Sequence, residues 1–131
     1  MIILDTHVLV WLAGDAERLS RPAATAVRKA LASGGLAIAS ITLWELAMLF
    51  TRGRLRGQGT IESSIRSIVD ATGVTVREIT PEIATLATQF PREFPADPAD
   101  RLIAATARSE GVPLVTSDER IQESPLVKTI W

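Results

Sequence analysis

The sequence predicts an α/β protein, a three-layer α/β/α sandwich around a central parallel sheet of about five strands. Short apolar runs alternate along the chain with longer stretches in which apolar residues recur at helical spacing. Several of the short runs are apolar throughout, which is typical of strands buried on both faces. Strands that alternate with helices pair in parallel through right-handed crossovers, and the helices then cover both faces of the sheet.

The 131 residues are expected to form a single domain, residues 1–131, long enough to bury a sizeable core. The predicted strands are Ile2–Leu4, Leu36–Ala39, Val74–Ile79, Val112–Val115 and Val127–Ile130. The predicted helices are Thr6–Leu12, Pro22–Ala32, Ile41–Thr51, Ile61–Ala71, Pro81–Gln89 and Pro98–Ser109. Local signals support these boundaries: Ser40 is placed to cap a helix, Pro81 and Pro98 stand at first helical positions, and Gly73 and Gly111 follow helix ends.

The amino-acid composition of the chain excludes several classes of protein and of binding site. Hydrophobic residues make up 47% of the chain and charged residues 22%, the balance of a globular protein. No apolar run reaches the roughly 20 residues of a membrane span, and no basic segment precedes the first one, so we expect a cytoplasmic protein. The chain has no cysteine, which excludes disulfides and thiolate metal sites. A net charge of −1 provides no general attraction for nucleic acids, so any such binding must use a local basic patch.

Four acidic residues stand where predicted strands end or the following helices begin. Asp5 closes the first strand, Glu45 lies one turn into a helix, Asp100 lies in the first turn of another, and Asp118 follows the strand that ends near Thr116. In open parallel sheets, ligands bind beyond the carboxyl ends of the strands. Carboxylates gathered there repel one another and stay ionised together only if a cation neutralises them. Oxygen ligands without cysteine favour Mg²⁺ or Mn²⁺, and the single histidine, His7, is interpreted as a helix residue.

Each acid also has a purely structural interpretation. Asp5, Asp97 and Asp118 are all suited to capping a helix N-terminus. Asp100 falls at the third helical position after Asp97, where a negative charge is favourable, and Glu45 could point to solvent. These interpretations are compatible with a metal site, because a carboxylate has several acceptor positions.

Together these residues resemble the PIN domain, and specifically the VapC-type ribonuclease toxins of bacterial toxin–antitoxin pairs. The resemblance covers the whole chain and rests on four segments in this order: IILDTHVLVWL, ASITLWEL with Ser40, Thr42 and Glu45, DPADRLIAATA, and LVTSD. It places the family's acidic quartet on Asp5, Glu45, Asp100 and Asp118, and its supporting polar positions on Thr6, Ser40 and Thr116. Many similar toxins carry a histidine shortly before the DPxDR segment, where this chain has Pro95.

The resemblance implies metal-dependent endonucleolytic cleavage of RNA. Asp5, Asp100 and Asp118 would hold one or two Mg²⁺ or Mn²⁺ ions, and Glu45 would complete the cluster or orient water. Asp97 is a second candidate ligand beside Asp100. The resemblance also implies a cognate antitoxin and a homodimer. Core packing is the default interpretation of six large apolar residues, and the resemblance implies that some of them instead line a dimer interface or a groove for an antitoxin helix: Val8, Trp11, Leu12, Leu43, Met48 and Phe50.

A basic segment follows the helix that carries Glu45. Arg52, Arg54 and Arg56 are either a solvated helix C-terminus or an RNA-backbone contact beside the site. Arg101, next to Asp100, either faces outward or pairs with an acid.

Other functions remain open. A haloacid-dehalogenase-like phosphotransferase needs an acid two residues after Asp5, where this chain has His7. A receiver-like domain needs a phosphorylatable Asp at the end of a central strand, yet the second predicted strand ends at Ala39 and Ser40. A PIN-like domain that binds metal or RNA without cleavage is a further alternative.

Overall fold

A computed structural model describes residues 1–131. Five strands form one sheet: β1 (Ile2–Leu4), β2 (Leu36–Ala39), β3 (Thr75–Arg77), β4 (Leu114–Val115) and β5 (Thr129–Ile130). Seven α-helices surround it: α1 (Thr6–Gly14), α2 (Arg21–Ser33), α3 (Ile41–Thr51), α4 (Ile61–Thr72), α5 (Pro81–Ala87), α6 (Pro98–Glu110) and α7 (Glu119–Gln122). A short 3₁₀ turn, Ala16–Arg18, follows α1. None of the helices is long and apolar enough to cross a bilayer.

The sheet is parallel throughout and has the strand order β3-β2-β1-β4-β5. The chain therefore builds outward from β1 to β3 and then returns to the other side of β1. This reversal makes the gap between β1 and β4 the switch point at which open parallel sheets bind ligands. The order also differs from the 2-1-3-4-5 order of receiver domains, so the receiver-like alternative is wrong.

The core lies in two layers, one on each face of the sheet. Successive residues of a strand point to opposite faces. Ile3 accordingly packs with α5 and α6, whereas Ile2 and Leu4 pack with α1, α2 and α4. All three residues of β1 are buried. The buried residues of both layers hold β1, and therefore the position of Asp5 directly after it, in a fixed place.

The strands β3, β4 and β5 are shorter in the structure than the sequence predicts. β3 is an edge strand that pairs only with Ala37–Ala39 of β2, and Ile79 beyond it is 44% exposed. β4 begins after Pro113, which has no amide hydrogen to donate to a neighbouring strand. β5 is limited to the two residues that pair with β4.

The helix signals are confirmed with one exception. Pro81 and Pro98 begin α5 and α6, and Gly73 and Gly111 end α4 and α6 with φ of 72° and 66°, in the left-handed region. The prediction that Ser40 caps α3 through its hydroxyl is wrong. Ser40 adopts helical dihedral angles, φ −59° and ψ −30°, and its side chain makes no capping hydrogen bond. A capping residue needs the extended conformation to bring its oxygen to the free amides.

Candidate active site

The site lies at the carboxyl ends of β1 and β4. Asp5 follows β1, and its Oδ1 accepts a hydrogen bond from the Thr6 amide at 2.8 Å. Its Oδ2 accepts one from the Thr116 hydroxyl at 2.7 Å, directly after β4. The same Thr116 hydroxyl accepts a hydrogen bond from the Asp118 amide at 3.1 Å. Thr116 therefore orients Asp5 and also ties the segment that carries Asp118 to it.

Glu45 reaches the same site from α3. Its Oε1 accepts a hydrogen bond from the Thr6 hydroxyl at 2.5 Å. The Thr6 hydroxyl also lies 3.0 Å from the Thr42 hydroxyl, and both threonines are buried. Because a hydroxyl has one proton and Thr6 donates it to Glu45, the proton between the two threonines belongs to Thr42. The relay from Thr42 through Thr6 fixes one oxygen of Glu45 and leaves the other free.

Asp97, Asp100 and Asp118 stand at the N-terminal ends of helices. Asp97 caps α6, its Oδ1 accepting from the Ala99 amide at 3.0 Å. Asp118 caps α7, its Oδ1 accepting from the amides of Arg120 at 2.9 Å and Ile121 at 3.3 Å. The structural interpretation of these two acids is thus confirmed, as is that of Asp5 at the start of α1. In each cap of α6 and α7 only one carboxylate oxygen is used.

Asp100 is half-buried, and only burial and neighbouring charges change its pKa. Burial, followed by the charges of Asp5, Asp97, Glu45 and Asp118, raises the pKa of Asp100 from 3.8 to about 7. Asp100 therefore lies in the field of every other acid of the site. A carboxyl group with such a pKa is partly protonated at neutral pH and is ready to exchange its proton for a cation.

The pKa values of Asp5 and Glu45 are also raised, and burial is again the largest cause. Burial raises the pKa of Asp5, against the hydrogen bonds from Thr116 and Thr6. Burial also raises the pKa of Glu45, against its hydrogen bond from Thr6 and together with the charges of Asp5 and Asp97. The fold thus concentrates negative charge in a poorly solvated crevice, which is costly unless a positive charge joins it.

The acids are near one another without forming a finished metal centre. No three acidic, histidine or cysteine side chains converge tightly enough to make a complete ligand set as they stand. The donor set nevertheless suits a hard divalent cation, because it consists of carboxylate oxygens and includes Asp100, which accepts no hydrogen bond that lowers its pKa.

Of the three candidate arginines, only Arg52 lies beside the acids. It lines a cavity of 270 Å³ together with Thr6, Glu45 and Asp97. Arg54 and Arg56 are exposed in the loop after α3 and do not line this cavity. Ser40 makes no side-chain hydrogen bond to α3.

Arg101 neither faces outward nor pairs with an acid, the two alternatives expected from the sequence. Its guanidinium donates hydrogen bonds to the backbone carbonyls of four residues in the preceding loop, at 2.9 to 3.4 Å: Phe90, Pro91, Phe94 and Pro95. It therefore anchors the loop that leads into Asp97 and α6. The sequence offered only its position next to Asp100 as a signal. Thr42 was named from the sequence only as part of the ASITLWEL segment, without a role. Its place three residues before Glu45 on the same face of α3 is the signal for its contact with Thr6.

Val8 is fully buried, which confirms the core interpretation for this residue. Trp11 is half-buried and contacts Trp131, with ring centroids 5.7 Å apart, and Arg18 lies 4.6 Å from its ring centroid. Leu43 lines an apolar groove of 540 Å³ beside α4, and Met48 lines the cavity that contains Arg52.

The chain is similar in sequence to known proteins over nearly its whole length. The family model for the PIN domain matches residues 2–125. Ribonuclease VapC22 from Mycobacterium tuberculosis (strain ATCC 25618 / H37Rv) is 38% identical over 132 residues, which covers 99% of this chain and 98% of that protein.

Solved structures share the fold at lower identity. VapBC2 from Rickettsia felis, bound to a DNA fragment from its promoter, superposes with a TM-score of 0.71 at 17% identity, covering 98% of this chain and 97% of that one. DNA-bound VapBC from Salmonella typhimurium gives a TM-score of 0.70 at 21% identity, covering 98% and 95%. At these identities the likeness establishes the fold alone.

Proposed function

This chain belongs to the PIN-domain family, and on that premise we propose that it is a metal-dependent endoribonuclease, the toxin of a toxin–antitoxin pair. The observation that carries the proposal is the convergence of acids at the carboxyl ends of β1 and β4. Thr116 links Asp5 to the Asp118 segment, and Thr6 links Glu45 to the same place. The raised pKa of Asp100, caused in part by the charges of these acids, agrees with it. RNA as the substrate class is supported by the 38% identical relative, which is a ribonuclease by name.

Asp5, Asp100 and Asp118, with Glu45, are the proposed ligands of Mg²⁺ or Mn²⁺, and Asp97 is a second candidate beside Asp100. When bound, the cation would lower the pKa of a water molecule for in-line attack on phosphorus and stabilise charge on the leaving oxygen. No hydrogen bond contributes to the pKa shift of Asp100, so its carboxylate is available to a cation.

The remaining polar groups position the acids. Thr116 holds Asp5 and the segment of Asp118, and Thr6 holds one oxygen of Glu45. The other oxygen of Glu45 is available to orient water or to accept its proton, and its raised pKa suits that second role. Ser40 is retained only as a supporting residue proposed from the family resemblance.

Substrate contacts are proposed for the basic segment after α3. Arg52 borders the acid cavity directly, and Arg54 and Arg56 extend positive charge outward from it. These exposed arginines would attract the RNA backbone and make binding dependent on salt.

The proposed partners are a cognate antitoxin and a second copy of this chain, with the cytoplasm as the compartment. An antitoxin is supported by the structural neighbours, which are VapBC complexes. It is also supported by the groove of 540 Å³ between α3 and α4, which is lined mainly by apolar side chains such as Ile61, Ile65 and Val69.

The proposed activity is tested by incubating the purified protein with structured RNA in Mg²⁺, in Mn²⁺ and in EDTA. Cleavage is expected with either metal and is expected to stop in EDTA and in the Asp5→Asn and Asp100→Asn variants. Cleavage that persists in EDTA and in both variants would refute the metal-carboxylate mechanism. Growth arrest on expression that Asp5→Asn does not relieve would count against the toxin role.

A further inference from the structure

A cavity of 270 Å³ opens beside the acid crevice, between α3 and the starts of α1 and α6. Thr6, Glu45 and Asp97 belong both to this cavity and to the site described above. A polymer with one phosphate at the acids must therefore run past this cavity or into it. Its volume is close to the lower end of the roughly 300 to 1,000 Å³ typical of ligand pockets, so it suits a single small unit.

One face of α3 forms a wall of the cavity. Trp44, Met48 and Arg52 recur at intervals of four residues and therefore lie along one side of the helix. Trp44 is 56% exposed, the largest exposed fraction among the large hydrophobic side chains of the protein. An exposed indole beside a polar cavity offers aromatic surface to a ligand.

We propose that this cavity binds one nucleotide of single-stranded RNA next to the cleaved phosphate, with its base stacked on Trp44 and its phosphate near Arg52. This nucleotide subsite rests on the proposed ribonuclease function. Stacking on an aromatic side chain accepts any base, because every base has a π-face, and an arginine supplies the backbone contact. The subsite would therefore contribute affinity and leave sequence selection to other contacts.

The chemistry of the lining favours RNA over a protein partner at this place. Only three of the eight residues that line the cavity are apolar, and the rest include Arg52, His7 and the acids. The groove between α3 and α4 has the opposite character, with six apolar residues among nine. A protein segment that buries apolar side chains fits that groove, whereas a flat base joined to a phosphate fits the cavity at Trp44.

The test measures binding of a fluorescently labelled single-stranded twelve-nucleotide RNA, oligouridine, in EDTA so that the RNA is not consumed. Trp44→Ala is expected to weaken binding about 5- to 150-fold, the loss that corresponds to one base stacked on an aromatic ring. Trp44→Phe is expected to restore affinity to within about threefold because it keeps a π-face. Leu31→Ala is the matched control, since Leu31 is 48% exposed and lies on α2, away from the cavity.

Two further readouts separate stacking from a structural effect. RNA should quench part of the tryptophan emission of the wild type and not that of Trp44→Phe, although Trp11 and Trp131 remain in both. An oligomer with the same phosphates but without bases should bind the wild type and Trp44→Ala equally. In RNA cleavage with Mg²⁺, Trp44→Ala should raise KM and leave kcat within about threefold.

Equal RNA affinity in the wild type and Trp44→Ala would overturn the subsite, and so would a wild type that binds no oligouridine. A Trp44→Ala variant that changes the oligomeric state in light scattering, without changing RNA affinity, would assign Trp44 to a protein interface and also overturn the subsite. RNA cleavage by the wild type would still support the proposed function in each case, so the two failures are distinguishable.

Discussion

The Thr116 hydroxyl donates a hydrogen bond of 2.7 Å to Asp5 and thereby joins two residues 111 positions apart in the sequence. It simultaneously accepts one from the Asp118 amide. Asp5 follows β1 and Thr116 follows β4, and these strands are neighbours because the chain reverses its direction of sheet growth there. A single buried hydroxyl thus fixes the relative positions of two proposed metal ligands.

Removal of this hydroxyl should impair catalysis more than folding. Thr116→Val keeps the volume of a fully buried side chain and deletes both hydrogen bonds. We expect RNA cleavage to fall about 10- to 100-fold, the usual effect of losing a group that orients a metal ligand. The acidic limb of the pH–rate profile should also move to higher pH, because the Thr116 hydrogen bond lowers the pKa of Asp5. Thr116→Ser keeps the hydroxyl and should restore both the cleavage rate and the position of the acidic limb. A Ser variant as inactive as the Val variant would contradict the orienting role of the Thr116 hydroxyl.

Thermal stability without metal should fall as the pH rises. The pKa of Asp100 is about 7 in the folded protein and 3.8 ordinarily, so between these values the folded state binds more protons than the unfolded state. Its contribution to stability is therefore complete below about pH 4 and is lost as the pH rises through 7. Scanning calorimetry in EDTA should show this fall in Tm for the wild type and a smaller one for Asp100→Asn.

Magnesium should reverse that loss. At pH 8 we expect Mg²⁺ to raise the Tm of the wild type and to have little effect on Asp100→Asn, because a cation that binds only the folded state stabilises it. Asp70→Asn, at an exposed position of α4, is the matched control and should behave like the wild type. Equal Mg²⁺ effects in the wild type and Asp100→Asn would contradict the proposed role of Asp100.

Arg52 should contribute more to RNA binding than its neighbour in the same loop. Arg52 lines the acid cavity, whereas Arg54 does not. For single-stranded RNA, Arg52→Gln should reduce the slope of log affinity against log salt by about 0.7, the value for one lost phosphate contact. Arg54→Gln should change it less. Equal slopes for the wild type and Arg52→Gln in a salt titration would exclude this contact.

The Arg101 side chain is expected to stabilise the folded state. Its four hydrogen bonds to carbonyls hold the loop that leads to Asp97. Arg101→Ala leaves the part-buried carbonyls of Phe90, Phe94 and Pro95 without this donor, whereas Pro91 still accepts from the Phe94 amide. We expect the free energy of unfolding to fall by about 2 to 4 kcal/mol. Urea unfolding measures this, with Arg108→Ala on the exposed side of α6 as a control. A loss below about 0.5 kcal/mol would show that the loop is held by other contacts.

The sequence was sufficient to predict the fold because the fold depends on local patterns. Continuous apolar runs such as Ile2–Leu4 predict buried strands, and parallel topology then brings their carboxyl ends to one edge. The strand order explains why Asp5 and Thr116 meet, but no local pattern contains that order.

Other features depended on geometry that residue types do not determine. Ser40 is a good capping residue by type, yet its helical dihedral angles prevent capping. Arg101 was expected near an acid or solvent, whereas its long side chain reaches carbonyls up to eleven residues away. Trp131 had no predicted place and packs on Trp11, a contact between the two ends of the chain.

The central claim is that these carboxylates form a site for a divalent cation, and direct Mn²⁺ binding tests it. Electron paramagnetic resonance detects free hydrated Mn²⁺, whose signal decreases when the ion binds protein. At pH 8 we predict saturable binding to the wild type that is weakened at least about tenfold by Asp5→Asn and by Asp100→Asn, and unchanged by Asp70→Asn. Mn²⁺ affinities that are the same in all four proteins would contradict the account.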